Sequence, residues 1–156
     1  MFQLLANNPF SCETLSMSDS IFTKIIKGEI PAHKIYEDAK TLAFLDIHPK
    51  KPGHTLVIPK KQVEFIWDLP ESDYLALMQT VQMVGNRIRE VIKPEYVGEA
   101  VEGIGVPHAH VHVFPFSTAE EYHYVADQNA EPDNTALSVM AKKLAFWPYT
   151  QANLLE

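Results

Sequence analysis

The chain has 156 residues, 46% of them hydrophobic and 21% charged, with a formal net charge of −7 and one cysteine. That length fits about one domain, and the composition is that of a globular protein rather than a disordered or fibrous one. The acidic balance argues against a nucleic-acid polymer as ligand, and Cys12 alone can form neither an internal disulfide nor a cysteine zinc site, which fits a reducing, cytoplasmic setting.

Residues 1–19 contain no Lys or Arg and show no clear period, so they read as an N-terminal extension. Met1-Phe2-Gln3-Leu4-Leu5-Ala6 lacks the basic start of a signal peptide, and no apolar run approaches the ~20 residues that span a bilayer; no membrane association is expected. From Ser20 the signals sharpen. Ser20 can cap a short helix carrying Ile21, Phe22, Ile25 and Ile26, with Gly28 as its stop. Strand-like runs at Lys34 to Tyr36 and Thr41 to Ile47 flank Asp38-Ala39-Lys40 as a hairpin, and a further strand covers His54 to Pro59.

From Asp68 to Ile92, apolar residues including Leu77, Val81, Val84 and Ile88 recur at spacings of three and four, the signature of an amphipathic helix ended by Pro94. Two more strands are expected at Tyr96 to Val101 and Pro107 to Phe114, across a Glu102-Gly103-Ile104-Gly105 turn. Residues 117–135 read as loop, with Tyr122, His123 and Tyr124 either plain loop or a lid, and a short helix is expected around Thr135 to Leu144. Hairpins rather than repeated helical crossovers join the strands, so the fold class is α+β with a mainly antiparallel sheet.

Chemistry concentrates in Val106-Pro107-His108-Ala109-His110-Val111-His112-Val113, which holds three of the seven histidines. Side chains alternate faces along a strand, so the three imidazoles should share one face while Ala109, Val111 and Val113 pack on the long helix. Three readings compete. The rings could be stray polar residues, or they could bind a metal, although no carboxylate or Cys nearby in sequence completes a ligand set. The third use is phosphoryl chemistry: clustered imidazoles oppose one another's protonation, leaving a neutral ring that can attack phosphorus while a neighbour binds oxygens or donates a proton. Other phosphate motifs fail. After Gly98 to Gly103, Ile104-Gly105 replaces the Lys-Ser/Thr of a P-loop, and His108 takes the third glycine position of a dinucleotide fingerprint.

The stretch His108 to Val113 resembles the His-φ-His-φ-His-φ signature of the histidine triad (HIT) family. Ile21 to Pro31, Leu42 to Ile47 and Pro52 to Lys61 are similar to its Hint-like branch, so the resemblance covers about residues 20–116 as the HIT domain, followed by a C-terminal tail over 117–156. It implies a five-stranded antiparallel sheet with one long and one short helix, and a two-fold homodimer. The implied function is a nucleotide hydrolase or transferase that cleaves a phosphoramidate, the favoured substrate, or a phosphoanhydride at the α-phosphorus of a purine nucleotide, without cofactor or metal. His110 is implied as the nucleophile, His112 as the residue that orients it or bonds the phosphate and leaving group, and His108 and His54 as supporting members. Asp46 is implied to bond the ribose hydroxyls, and Ile21, Phe22, Ile25, Phe44, Ile47 and Leu56 to form the slot for the base. A non-catalytic nucleotide-binding dimer and a metal-binding HxHxH protein are the alternatives.

Ser20 and Thr23 stand where many relatives carry zinc-binding cysteines, and Ile104, Gly105 and Pro107 cannot replace the Gln or Ser that relatives place before the triad. Lys50, Lys51, Lys60 and Lys61 could attract phosphate, though paired loop lysines are usually solvated charge.

Overall fold

A computed structural model describes residues 18–146; residues 1–17 of the extension expected over 1–19 and the end of the tail lie outside the described residues. Five strands, β1 (Lys34–Glu37), β2 (Thr41–Leu45), β3 (Thr55–Pro59), β4 (Tyr96–Ala100) and β5 (Val111–Phe116), form one sheet in the order β1-β2-β3-β5-β4. Every neighbouring pair is antiparallel. The β1–β2 turn is built by Asp38, whose carboxylate accepts from the backbone of Lys40 at 2.8 Å and of Thr41 at 2.7 Å, as turn-forming aspartates do.

The long helix α2 (Glu71–Val91) runs across one face. Pro70 precedes it, Glu71 and Asp73 complement the positive end of its dipole, and it ends at Ile92, before Lys93 turns to a positive φ ahead of Pro94. Leu77, Val84 and Ile88 are fully buried against Ala43, Leu45, Val57, Val111 and Val113, so the apolar alternation of the strands and the stripe of the helix meet in one core. Each such side chain contributes about 1.5–3 kcal/mol by leaving water. Thr41 and Thr80 are buried between sheet and helix and bond each other at 2.8 Å, which avoids the penalty of unpaired hydroxyls.

The opposite face is partly covered by α1 (Ile21–Ile26), whose Phe22 and Ile25 pack on Leu42, Phe44, Leu56 and Ile58. On that face the ladder register places Phe44 opposite Leu56, and Leu56 opposite His112. One strip across three strands therefore passes from an apolar wall to an imidazole.

Several boundaries differ from those read in the sequence. The strand expected from Pro107 begins at Val111, because the backbone of Ala109 donates to Val63 O at 2.7 Å instead of joining the ladder. The connection from β4 to β5 is thus the ten residues 101–110, not a tight turn at 102–105. A second short helix, α3 (Ala119–His123), lies in the segment expected to be loop, with Thr118 as its cap. The expected terminal helix is α4 (Asn134–Leu144), and it belongs to the main core: Leu137, Ala141 and Leu144 are buried there, and the Arg87 guanidinium donates to the carbonyls of Leu144 and Lys143 at 3.2 and 3.0 Å. The sheet is accompanied by four α-helices among the described residues, where the sequence suggested three, two in the domain and one in the tail; α3 is the addition.

Candidate active site

Each histidine is fixed by what its ring nitrogens meet. His108 is fully buried, with Nε2 at 2.8 Å from Pro59 O and Nδ1 at 2.9 Å from Ser20 Oγ. A carbonyl can only accept, so Nε2 carries the proton and Nδ1 accepts from the serine hydroxyl. The same Ser20 oxygen caps α1 by accepting from Thr23 N at 3.0 Å. Gln62 completes the cluster, its Oε1 accepting from Ser20 N at 3.0 Å and from the Thr23 hydroxyl. Ser20, Thr23, Gln62 and His108 thus form a closed hydrogen-bonded group that ties α1 to the triad. His108 cannot reach a bound phosphate, because both its nitrogens are committed and it has no exposed surface.

His110 Nδ1 lies 2.7 Å from His108 O and must donate to it, which leaves Nε2 with a free lone pair. Among the described residues no fully buried side-chain N or O lacks a partner, so this Nε2 retains contact with solvent although the residue is only 4% exposed. Phe22 meets the ring edge-on at 5.3 Å between centroids, and the His112 ring lies 5.1 Å from it.

His54 and His112 are coupled. The backbone N–H of Lys50 donates to His54 Nδ1 at 3.1 Å, so the proton of His54 sits on Nε2, which donates to His112 Nδ1 at 2.9 Å. His112 in turn must carry its proton on Nε2. Burial, followed by the charge of His112, pushes the pKa of His54 down to about 3, and burial followed by His110 pushes that of His112 down to about 4. Burial also lowers His108. The mutual opposition of imidazoles expected from the sequence operates here, but desolvation is the larger cause.

Asp46 follows β2 and is joined to β3 by its backbone N–H, which donates to His54 O at 3.0 Å. Its Oδ1 accepts from His48 N at 2.9 Å, and its Oδ2 stands 3.5 Å from His54 Nδ1. That contact would be an ion pair only with His54 protonated; with the ring held neutral and Nδ1 accepting from Lys50, it is none at neutral pH. Burial raises the Asp46 pKa, with the His48 backbone hydrogen bond working against it.

No carboxylate adjoins the triad along the chain to complete a ligand set, but the fold brings Asp46 to it. Ligand-capable atoms of Asp46, His54 and His112 lie within 4.8 Å of one another. Both His54 nitrogens are already engaged, so a metal ion there would have to displace the bonds that set the tautomers.

Of the apolar residues assigned to the base slot, Phe22, Ile25, Phe44 and Leu56 are buried in one cluster, while Ile21 and Ile47 are half exposed. Phe22 meets Phe44 edge-on at 5.5 Å. The first four form packed core as much as a ligand surface. Lys50 and Tyr122, read in the sequence as a possible phosphate attractor and a possible lid, both lie near the histidines, whereas nothing in the sequence pointed to Gln62, 46 residues before His108.

An antiparallel five-stranded α+β sheet with a buried, tautomerically ordered set of histidines at its centre is the architecture of a histidine triad protein. Residues 27–119 match the model of the HIT domain, and the chain belongs to that family. It is 39% identical over 99 residues to an uncharacterized HIT-like protein of Methanocaldococcus jannaschii, covering 61% of this chain and 77% of that one. It is 33% identical over 103 residues to adenylylsulfatase HINT3 of Arabidopsis thaliana, covering 63% of this chain but 52% of that one. Among solved structures, the Hit-like protein of Bartonella henselae, described as involved in cell-cycle regulation, superposes with a TM-score of 0.72 at 30% identity, over 81% of this chain and 93% of that one.

Proposed function

We propose that the protein is a nucleotide hydrolase or transferase that cleaves a phosphoramidate or phosphoanhydride at the α-phosphorus of a purine nucleotide, through a nucleotidyl-histidine intermediate on His110. The observation that carries this reading is the His108 O to His110 Nδ1 hydrogen bond of 2.7 Å, which leaves the lone pair of His110 Nε2 open to attack phosphorus. In the first step the Nε2–P bond forms and the bond from phosphorus to the leaving group breaks; in the second, water displaces His110 and nucleoside monophosphate departs. His112 Nε2–H points its hydrogen at the phosphate or the leaving atom, and His54 holds that tautomer. Asp46 accepts from the ribose hydroxyls, and the apolar residues of α1, β2 and β3, with Ile47, contact the base. The Arabidopsis relative's name, adenylylsulfatase, is that of an enzyme acting on such a mixed anhydride.

The homodimer is part of the same proposal. Strand β4 is an edge of the sheet, and a groove of about 490 Å³ is lined by Asn86, Arg89, Tyr96 and Val97 where α2 meets that edge. A second copy placed there would cover both; light scattering that finds a monomer at micromolar concentration overturns this part. No helix among the described residues is long and apolar enough to cross a membrane.

The test of the chemistry is AMP release from adenosine 5′-phosphoramidate in EDTA, beside His110→Ala. Steady turnover that falls by about a thousandfold or more in the variant is the expected result. Negligible rates for both proteins with AMP still bound would instead favour a nucleotide-binding dimer.

A further inference from the structure

Lys50 reads in the sequence as one of several loop lysines, but its side chain is only 15% exposed. Its Nζ lies 5.0 Å above the ring centroid of Phe114, 3.3 Å from Tyr122 O and 3.8 Å from Glu102 Oε1. Phe114 follows His112 by two residues on the same face of β5 and packs edge-on to His54 at 5.4 Å. The ammonium is therefore carried over the histidine side of the sheet, and its charge is among the influences that lower the pKa of both His54 and His112.

A sheltered cation is costly unless an anion meets it closely. Its neighbour Lys51 has such a partner in Glu121, whereas Lys50 has a carbonyl and a looser carboxylate, carried on the long 101–110 connection and itself 43% exposed. Among the described residues the ammonium thus has no close anionic partner. Ile104 and Gly105 of the same connection offer no side-chain donor.

We propose that Lys50 determines leaving-group specificity: its ammonium receives an acidic leaving group, a sulfate or phosphate joined to the nucleotide through an anhydride oxygen, in place of Glu102. This rests on the reading of His110 as nucleophile and adds a preference for nucleotidyl anhydrides, with phosphoramidates, the substrates the family resemblance favoured, cleaved without help from Lys50. As His110 Nε2 bonds to phosphorus, the bridging P–O bond breaks and its electron pair leaves on the sulfate or phosphate oxygen. Such an anion needs no proton at neutral pH; it needs positive charge where the charge develops. An amine leaving group makes the opposite demand, since it must gain a proton, and both His54 and His112 are neutral in the free site.

The test compares kcat/KM of the full chain on adenosine 5′-phosphosulfate and adenosine 5′-phosphoramidate for wild type, Lys50→Met and Lys50→Arg. The backbone N–H that holds His54 survives both substitutions. Lys50→Met should lose on the order of a hundredfold on the phosphosulfate, the scale of one lost oxyanion donor, with little change on the phosphoramidate and partial recovery in Lys50→Arg. Equal losses on both substrates would mark a structural role and overturn the proposal, as would an unchanged rate on the phosphosulfate or wild-type turnover of the phosphoramidate alone. Turnover of neither substrate by wild type would sink the His110 reading instead. Lys50 would then be judged by calorimetry: selective loss of phosphosulfate affinity over AMP in Lys50→Met upholds its anion-binding role, and equal affinities overturn it.

Discussion

His54 Nε2 and His112 Nδ1 lie 2.9 Å apart, and because Lys50 N–H occupies the other nitrogen of His54, this one bond sets the tautomer of both rings. Its geometry requires both rings to be neutral. In the unfolded chain each would titrate near the ordinary value of 6.5, against about 3 and about 4 in the folded protein.

Stability should therefore fall in acid. Between those values the unfolded chain binds more protons than the folded one, so the free energy of unfolding rises with pH. The stabilisation is fully present above about pH 6.5 and is lost as pH falls through about 4 and then 3, at up to about 1.4 kcal/mol per pH unit for each ring. Urea midpoints measured from pH 7 to pH 4 check this. A His54→Gln/His112→Gln double variant should show a flatter profile, and an unchanged slope would refute the assignment.

Ser20→Ala removes the α1 cap and the donor to His108 Nδ1 together. The expected cost is about 1–3 kcal/mol, from a lost cap and a buried acceptor left unpaired. Denaturant unfolding measures it. A loss of only a few tenths of a kcal/mol would mean that water replaces the hydroxyl.

Gly98 in β4 sits beneath Tyr122: a Cβ at this position would fall 2.8 Å from Tyr122 Cε2 and 3.1 Å from Phe116 Cε1. Gly98→Ala should push the α3 ring off the sheet and destabilise by about 1–3 kcal/mol, as overpacking does. Adding Tyr122→Leu should recover part of that loss. If the double variant is no more stable than Gly98→Ala, the clash is not its origin.

Asp46→Asn probes the ribose contact. Charge-assisted hydrogen bonds are worth about 1.5–3 kcal/mol, so affinity for AMP should drop roughly tenfold or more. Binding of the 2′,3′-dideoxy analogue should hardly change. Parallel losses for the two ligands would assign Asp46 to holding the His48 turn rather than the sugar.

Much of the fold is legible locally. The stripe of Leu77, Val81, Val84 and Ile88, the cap at Ser20 and the turn at Asp38 are each determined by residues within a few positions, so a linear reading finds them. The placement of Val111 and Val113 on the helix side follows from alternation alone. The start of β5 did not follow, because it depends on Val63 capturing the backbone of Ala109, a partner 46 residues away. The segment holding α3 has few apolar residues of its own, and its order comes from Tyr122 packing on Phe114 and Phe116.

For the site, the sequence by itself determined which residue types were available: three alternating imidazoles, a fourth at His54 and a carboxylate at Asp46. Only the tertiary structure decided what each ring nitrogen meets. Ser20 lies 88 residues from His108, Pro59 lies 49 from it, and His54 lies 58 from His112. A proton's position on an imidazole is set by the donor or acceptor within about 3 Å, and spacing along the chain carries no information about which group that will be. The same holds for Lys50, whose charge is solvated or sheltered according to whether Phe114 and Tyr122 close over it.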